Sequence, residues 1–386
     1  MFEWSVAQAR MRDDLRRFVA EEIEPWRDSF ERDGVPPYDV LRKMYVRFGI
    51  GDAALERYRR SADGERRPRD PDELACVLLP LIELSRCSPG MVTALGVSVN
   101  LASAAILRAG SRAQAERWVP DLLTLRTIGT WALTEPGSGP DTFGTMRSTA
   151  KPDGDEFVLN GAKTFITNGP YADTIVFVCK IAGPQEENGH TRIGSFVLDR
   201  GMPGLEQTPP LRKMGMHSSP TGQLFLTDVR AGRDRLLSGR RAGCVRGTFV
   251  AERASIAAMA LGIIERCIEL SVEHARTRAP IRDFPMVQGK LARMEVARLT
   301  VQSLVFRYIE QISSGHAITL GEASAMKLHS ARSALDVAVD AMRVHGDGPG
   351  DGRIEQLARD AQVLQIYAGT DELQTLAIAD ELLTAR

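Results

Sequence analysis

WALTEPGSGPD, residues 131–141, and NGAKTFITNG, residues 160–169, are the two segments that decide the fold. In the first, a Leu-Thr pair precedes a Pro-Gly-Ser-Gly turn, which exposes backbone N–H groups and a hydroxyl where a strand opens. In the second, Phe165 and Thr167 provide an aromatic face and another hydroxyl on a strand. Such groups can bind the pyrimidine edge and pyrophosphate of a flavin and stack on its isoalloxazine ring. Taken alone, each segment is more simply a turn followed by the core of a strand.

Short strand-like runs extend around these segments, from about Gly129 to Leu237. The run FVLNGAKTFI alternates around an Asn-Gly pair at 160–161, which favours a β-hairpin. Further β-rich runs follow, separated by turns rich in Gly, Pro and Asn: TIVFVCKI (174–181), RIGSFVLD (192–199) and GQLFLTDV (222–229). Regular spacing of short strands predicts a β-barrel or sandwich of about 100 residues.

Helical periodicity flanks the strand region on both sides. On the C-terminal side, three long amphipathic stretches predict a helical bundle: 251–276, 286–313 and 320–345. We therefore predict an α+β fold that is mainly α, with an N-terminal helical domain (1–128), a middle β-domain (129–240) and a C-terminal bundle (241–386). Because strands and helices do not alternate, the pattern argues against a doubly wound nucleotide-binding fold.

Composition and missing motifs exclude several classes of protein. The chain of 386 residues is 43% hydrophobic and 26% charged, with a formal net charge of -1, so no global field favours nucleic acid or an anionic membrane. The five scattered cysteines form no CxxC, and the sequence contains no GxGxxG, Walker A, HExxH or GxSxG. The most apolar stretches, 93–107 and 254–264, are shorter than the roughly 18 residues of a membrane span. We expect a cytoplasmic protein with reduced thiols, no metal site and no membrane span.

Four segments in this order resemble the acyl-CoA dehydrogenase family, and the resemblance covers nearly the whole chain. TEPGSGPD is similar to that family's TEPxxGSD, and FITNG to its WITNG. The segment RDA followed by QIYAGT, within residues 359–370, is similar to RDA…YEGT, and LRKMGMHSSPTGQLFLTDV (211–229) resembles the MGxRxSxT strand pair. The resemblance implies a three-part fold ending in a four-helix bundle. It also implies a homodimer or homotetramer with FAD between β-domain and bundle, whose adenine end reaches a neighbouring subunit.

The reaction implied by the resemblance is α,β-dehydrogenation of an acyl thioester, in which a carboxylate removes the α-proton and flavin N5 accepts the β-hydride. Many members carry the carboxylate as the Glu of YEGT, where this chain has Ala368. Members similar to isovaleryl-CoA and long-chain dehydrogenases carry it before an Arg on the first bundle helix, which matches Glu252-Arg253 here. Glu252 is the predicted base, its pKa raised by apolar neighbours, and the N–H of Ala368 is predicted to bind the thioester oxygen.

The same resemblance assigns further residues by their position in the motifs. The predicted cofactor-binding residues are Trp131, Leu133, Thr134, Gly139, Phe165, Ile166, Thr167, Arg278, Gln288, His345, Gly346, Thr370 and Glu372. The predicted substrate-binding residues are Arg253, Pro140 and Gly369. The expected partners are an acyl-CoA or acyl-carrier-protein thioester and an electron-transfer flavoprotein or similar acceptor.

Several departures from the family pattern keep alternatives open. Pro140 stands where TEPxxGSD has Ser, and the RxxFG and QxxGG segments read RAPIR (278–282) and MRVHG (342–346). These regions contact the distal part of FAD in relatives, which leaves cofactor affinity and oligomer geometry open. The Arg-rich stretch 57–72, predicted to be a loop, either contacts a phosphate-bearing handle or is a solvated linker. The alternatives are a flavin monooxygenase on the same fold and a catalytically inactive scaffold subunit.

Overall fold

The computed structural model describes residues 3–62, 70–138, 143–183, 192–237, 243–278, 281–346 and 352–384. Helices come first, strands second and helices again last, which confirms the predicted fold class. The N-terminal α-helices are α1 (Val6–Phe18), α2 (Arg27–Glu31), α3 (Tyr38–Arg47), α4 (Ile50–Ala62), α5 (Pro71–Ser85), α6 (Pro89–Gly96), α7 (Ser103–Ala109) and α8 (Arg112–Leu123). The exact domain boundaries remain a prediction.

Two details of the N-terminal region differ from the sequence-based prediction. Residues 57–62 were predicted to belong to a loop, but they continue α4, which ends at Ala62. Their Arg-rich sequence is compatible with a helix. Residues 63–69 lie outside the described ranges. In addition, a π-helical turn joins α6 to α7 into one helical run, Pro89–Ala109, which is 21 residues long and apolar enough to cross a membrane. Two thirds of its most apolar window is buried inside the protein, which is typical of a core helix.

The middle region forms one mixed sheet. Its strands are β1 (Gly129–Ala132), β2 (Thr149–Asp153), β3 (Glu156–Thr167), β4 (Thr174–Ile181), β5 (Ile193–Asp199), β6 (Leu205–Gln207), β7 (Thr221–Gly232) and β8 (Leu236–Leu237). The strand order is β6-β7-β3-β2-β4-β5-β8, with β1 paired to β4. β1 and β2 run parallel to β4, and the other pairs are antiparallel.

The hairpin predicted at Asn160-Gly161 is wrong. Both residues lie within β3, where the pairing with β7 shifts register between Leu159 and Gly161. The Asn160 side chain donates to Asp228 Oδ1 (2.9 Å) and accepts from the Asp228 N–H (3.0 Å), so it bridges the irregular pair of strands. A Cβ on Gly161 would lie 2.9 Å from Cα of Ser148. A glycine is therefore required at position 161 because two backbone segments approach closely there, and not because the chain turns.

The C-terminal helices are α9 (Gly243–Thr277), α10 (Pro285–Ser313), α11 (Leu320–His345), α12 (Arg353–Val363) and α13 (Asp371–Thr384). They share one hydrophobic core with the N-terminal helices, while the sheet has a core of its own. α9 packs against α5 so closely that a Cβ on Gly262 would lie 2.9 Å from the side chain of Ser85. This contact holds α9 between the N-terminal helices and the other C-terminal helices. The first turns of α9 lie beside β1.

Candidate active site

Glu252 lies near the start of α9 and is half-buried. Its carboxylate forms neither a hydrogen bond nor an ion pair with any residue in the described ranges. Burial raises the pKa of Glu252 to about 7, although the charges of Arg253 and Lys327 act in the opposite direction. The helix continues with the buried apolar residues Ala254 and Ile256. The site thus holds a carboxyl group that can gain or lose a proton near neutral pH.

Arg253, the next residue, is buried and held from the opposite helix. Its Nη1 donates to Ser324 Oγ on α11 at 2.7 Å, and its guanidinium carbon lies 5.7 Å from the ring centroid of Phe249. Its Nε is buried without a hydrogen-bond partner in the part of the chain that the structure describes. The cation is therefore oriented by the bundle rather than by a salt bridge to Glu252.

Ala368 and Gly369 form a turn between α12 and α13 in which both residues have positive φ, +55° and +87°. For a non-glycine residue this conformation costs about 1–2 kcal/mol. The carbonyls of this turn are bound: Gln374 Nε2 donates to Ala368 O (3.1 Å) and Gly369 O (2.8 Å), and Lys327 Nζ donates to Gly369 O (2.6 Å). The N–H of Ala368, by contrast, has no partner among the described residues. A strained turn thus leaves a backbone donor for a ligand.

Lys327 on α11 is a site residue that the sequence reasoning missed. Its side chain is fully buried, and burial lowers its pKa to about 8, opposed mainly by the charge of Asp371. Glu252, Arg253 and Glu372 also affect this pKa, so the lysine lies in the same cluster. The available signal was helical spacing: Lys327 falls four residues from buried Ala323 and Ala331, on the apolar stripe of α11.

The phenol of Tyr367 belongs to a second group of side chains near Glu252. Its hydroxyl lies 3.4 Å from Thr93 Oγ1 and 3.3 Å from Met259 Sδ, and Thr93 Oγ1 lies 3.5 Å from Met216 Sδ. Burial raises the pKa of Tyr367, and the charge of Glu252 adds to this effect. Side chains from α6, from the segment before β7 and from α9 therefore meet beside the carboxyl group.

The predicted flavin-binding edge of the sheet lies at the end of β1. Lys163 Nζ donates to Leu133 O (2.9 Å), and the Thr164 N–H donates to Thr134 O (2.9 Å), so these carbonyls are satisfied. The N–H groups of Leu133 and Thr134 and the hydroxyl of Thr134 lack partners within the described ranges. This edge therefore presents backbone and side-chain donors without protein acceptors.

Phe165 projects from an irregular part of β3. It has φ +55° and is 65% exposed, whereas its neighbour Ile166 is 2% exposed and packs into the core of the sheet. The carbonyl of Thr167 accepts from Thr130 Oγ1 at 2.6 Å, and its own hydroxyl has no partner in the described part of the chain. The ring of Phe165 therefore lies outside the core at the edge of the sheet, where a flat ligand can stack on it.

Trp131 connects this edge to the carboxyl group. Its ring lies 6.0 Å from that of Phe249, tilted by 50°, and Phe249 precedes Glu252 by about one turn of α9. The exposed edge of the sheet and the unpaired carboxylate therefore lie on adjacent elements, on the two sides of this aromatic contact.

Comparison with known proteins identifies the family. The chain matches the N-terminal domain of acyl-CoA dehydrogenase over residues 5–126, the middle domain over 130–229 and the C-terminal domain over 242–383. The chain belongs to the acyl-CoA dehydrogenase family. It is an oxidoreductase of the type that acts on CH–CH bonds, in a flavin-dependent family whose members act on acyl-CoA and pass electrons to electron-transferring flavoprotein.

Individual relatives are similar over almost their whole length. A 3-(aryl)acrylate reductase of Clostridium sporogenes is 32% identical, covering 95% of this chain and 96% of that protein. An acyl-CoA dehydrogenase of Bacillus subtilis is 31% identical, with 97% and 98% covered. The structure of butyryl-CoA dehydrogenase from Megasphaera elsdenii is 26% identical, with a TM-score of 0.86 and 99% and 100% covered.

The groups at the sheet edge fit the flavin that this family uses. An exposed aromatic ring, two unpaired N–H groups and the hydroxyls of Thr134 and Thr167 match the flat ring and polar edge of such a cofactor. At the start of α13, Thr370 hydrogen-bonds the exposed Glu372 side chain and thereby lowers its pKa. Gly139 and Pro140, also predicted for this acyl-CoA dehydrogenase site, lie outside the described residues.

The remaining predicted cofactor residues lie at the other end of α9. Burial, His345 and Arg278 together lower the pKa of His274, whose ring lies 4.2 Å from that of His345. The exposed Gln288 donates to Arg282 O at 3.2 Å, and Gly346 ends α11 with φ +67°. Arg278 follows Glu252 by about 26 residues, or about 39 Å of helix. Within one subunit, this distal set and Glu252 cannot hold the same end of a cofactor.

Proposed function

We propose that this chain is an FAD-dependent dehydrogenase that introduces a double bond between the α- and β-carbons of an acyl thioester. The observation that carries the proposal is the unpaired Glu252 carboxyl group, with a pKa near 7, in the same cluster as the free N–H of Ala368. A base works best when its pKa lies near the working pH, because it is then both available and strong enough.

Glu252 is the proposed base that takes the α-proton. As the proton leaves, negative charge develops on the thioester oxygen, and the N–H of Ala368 donates a hydrogen bond to that oxygen. Arg253 and Gly369 line the same region and contact the substrate. Ala368 cannot supply a carboxylate, so the base comes from α9 and the oxyanion donor from the turn between α12 and α13.

The cofactor is proposed to be held by the sheet edge: Trp131, Leu133, Thr134, Phe165, Ile166 and Thr167, with Thr370 and Glu372 from α13. When bound, FAD accepts the hydride from the substrate β-carbon. Since Arg278 lies about 39 Å from Glu252 along the axis of α9, and His345 lies beside His274 at that same end, we propose that Arg278, Gln288, His345 and Gly346 hold the adenine end of the cofactor of a neighbouring subunit. This arrangement requires a homodimer or homotetramer.

The proposed substrate is an acyl-CoA or an acyl-carrier-protein thioester, and the proposed acceptor is an electron-transfer flavoprotein or similar protein. The acyl-CoA dehydrogenase of B. subtilis and the butyryl-CoA dehydrogenase of M. elsdenii support the CoA thioester. Similarity to the 3-(aryl)acrylate reductase of C. sporogenes supports a reaction that can also run in reverse, since a carboxyl group with pKa near 7 can also return the α-proton. The four described cysteines are free thiols, in keeping with a cytoplasmic protein.

The two alternatives account less well for the site. A monooxygenase needs no base for the α-proton, and then a costly unpaired carboxyl group at Glu252 has no use. An inactive scaffold has no need for an exposed Phe165 at positive φ beside unpaired backbone donors.

The test is Glu252→Gln, with Glu273→Gln as a matched control because Glu273 is an exposed residue on the same helix. Both variants are mixed anaerobically with butyryl-CoA and octanoyl-CoA, and flavin absorbance is followed. We expect Glu252→Gln to retain yellow flavin but to reduce it about 10²–10⁴-fold more slowly than wild type, because proton abstraction is lost. Glu273→Gln should match wild type. Normal bleaching of the flavin by Glu252→Gln excludes Glu252 as the base.

A further inference from the structure

A fully buried lysine, Lys327, donates its hydrogen bond to a neutral carbonyl rather than to a carboxylate. Its Nζ lies 2.6 Å from Gly369 O, whereas the nearest oxygen of Asp371 is 3.9 Å away, beyond hydrogen-bond distance. That oxygen, Asp371 Oδ1, is itself buried without a hydrogen-bond partner among the described residues. A buried ammonium group is costly unless it is well paired. The hydrogen bond of the lysine thus goes to the turn, while Asp371 acts on it only as a more distant opposite charge.

The carbonyl that Lys327 binds belongs to the strained turn at Ala368-Gly369. Both residues of the turn have positive φ, and this conformation is unfavourable for Ala368. Such a turn persists only when neighbouring groups hold it. Lys327 and Gln374 hold it from two helices, α11 and α13, by three hydrogen bonds to its two carbonyls. Because peptide units are planar, fixing these carbonyls fixes the two peptide planes that follow the Cα of Ala368, so that only the N–Cα bond of Ala368 separates its N–H from the clamped turn.

We propose that Lys327 is a positioning residue, which pins the Ala368-Gly369 turn through the Gly369 carbonyl and keeps the Ala368 N–H aligned with the substrate's thioester oxygen. This inference rests on the function proposed above. Because its ammonium group lies 2.6 Å from the Gly369 carbonyl oxygen, Lys327 also brings a positive charge to the turn that would bind the oxygen that becomes negative when the α-proton leaves. Burial lowers the pKa of Lys327 to about 8, so the group remains mainly protonated at pH 7.

The test compares Lys327→Met with Arg332→Met. Arg332 also lies on α11 and also contacts Asp371, through Nε to Oδ2 at 2.9 Å, but it does not bind the turn. The first measurement is backbone hydrogen–deuterium exchange of the peptide that spans residues 365–374. The second is exchange of the α-protons of β-thia butyryl-CoA and β-thia octanoyl-CoA with D₂O. These analogues carry sulfur at the β-position, so they have no β-hydrogen to transfer and report proton abstraction alone.

For Lys327→Met we expect faster backbone exchange in residues 365–374 and α-proton exchange about 10- to 100-fold slower than in wild type, because the oxyanion donor is misaligned. Flavin absorbance should be retained. Arg332→Met should equal wild type in both measurements. The inference is overturned when Lys327→Met exchanges α-protons like wild type, or when α-proton exchange slows while the backbone of the turn exchanges as before.

A second variant, Gln374→Leu, removes the other clamp on the same carbonyls and keeps the test decisive when Lys327→Met does not fold. It should show the same two changes in the same direction, and wild-type behaviour of Gln374→Leu contradicts the inference. The failure of the proposed function gives a different result: wild type itself then exchanges the α-protons of neither analogue. In that case both proposals fall together, whereas an unaffected lysine variant removes only this one.

Discussion

Two clusters of side chains, one in the sheet and one in the bundle, each contain a lysine and a glutamate, and the surroundings of the two glutamates are opposite. In the sheet, Glu135 accepts from Lys163 Nζ (2.8 Å) and from the N–H groups of Arg147 (2.6 Å) and Ser148 (3.0 Å). Burial alone would raise the pKa of Glu135, but these hydrogen bonds, led by that of Lys163, hold it below its usual range. The hydrogen bonds therefore favour the charged form of this carboxylate.

In the bundle, Glu252 and Lys327 lie in one cluster but form no hydrogen bond or ion pair with each other. Glu252 has no partner in the described ranges, Lys327 is bound to a carbonyl, and Arg253 leaves its Nε unpaired. Burial therefore dominates here and raises the pKa of Glu252 to about 7. Burial acts on the pKa of both carboxylates in the same direction, so pairing separates a carboxylate that stabilises structure from one that can react.

The largest expected effect comes from breaking the paired cluster. Glu135→Gln leaves the fully buried Lys163 charge without its counter-ion, so we expect a loss of about 3–5 kcal/mol in the free energy of unfolding, measured by urea denaturation. The control is Glu156→Gln, whose pair with Arg230 is exposed to solvent and should therefore contribute much less to the free energy of unfolding. Equal stability of the two variants means that pairing of Glu135 is not what distinguishes this cluster.

Removing the unpaired carboxylate should have the opposite sign. The folded-state pKa of Glu252, about 7, lies above that of an unfolded chain, about 4.5, so the folded protein binds the proton more tightly and ionisation costs stability as pH rises through this window. Glu252→Gln should therefore be more stable than wild type by about 1–3 kcal/mol at pH 8 and equal to it at pH 4. Urea denaturation at both pH values measures this. A variant that is less stable at pH 8 shows that Glu252 is paired in the folded state.

Much of the fold followed from periodicity and turn chemistry. The spacing of apolar residues located α11 at its observed bounds, and the β-rich run 174–181 is β4. The Asn-Gly pair at 160–161 misled because its glycine serves close approach to Ser148, a long-range contact that no local rule contains. The helical run Pro89–Ala109 is also longer than the apolar stretch within it: it begins at buried Pro89 and ends beyond the exposed Leu107.

The candidate site was predictable where a motif carries it and not where folding creates it. Glu252, Ala368 and Phe165 came from resemblance to family motifs, but their roles remain proposals. The positive φ of Phe165 and Ala368 cannot be read from residues with no special preference for that conformation. Lys327 was missed because a lysine in a helix ordinarily faces water, and it is the packing of α11 against α9, α12 and α13 that buries it.

The smallest expected effect tests whether Glu252 can be given a partner. Ser324→Ala removes the hydroxyl on α11 that accepts a hydrogen bond from Arg253 Nη1. The side chain of Arg253 can then turn towards the carboxylate of Glu252. We expect a loss of about 0.5–1.5 kcal/mol in unfolding free energy. The midpoint of the pH dependence of α-proton exchange should fall by roughly half a unit or less, because a nearer cation favours ionised Glu252.

Ser330→Ala is the matched control for this change, since Ser330 lies on the same helix and its buried hydroxyl has no hydrogen-bond partner in the described part of the chain. It should leave the midpoint where it is. A midpoint that rises in Ser324→Ala would mean that the serine already directs Arg253 towards Glu252. The bundle cluster would then be a weakened version of the paired cluster in the sheet, and its high pKa would come from burial acting against a cation that is already as close as the helix allows.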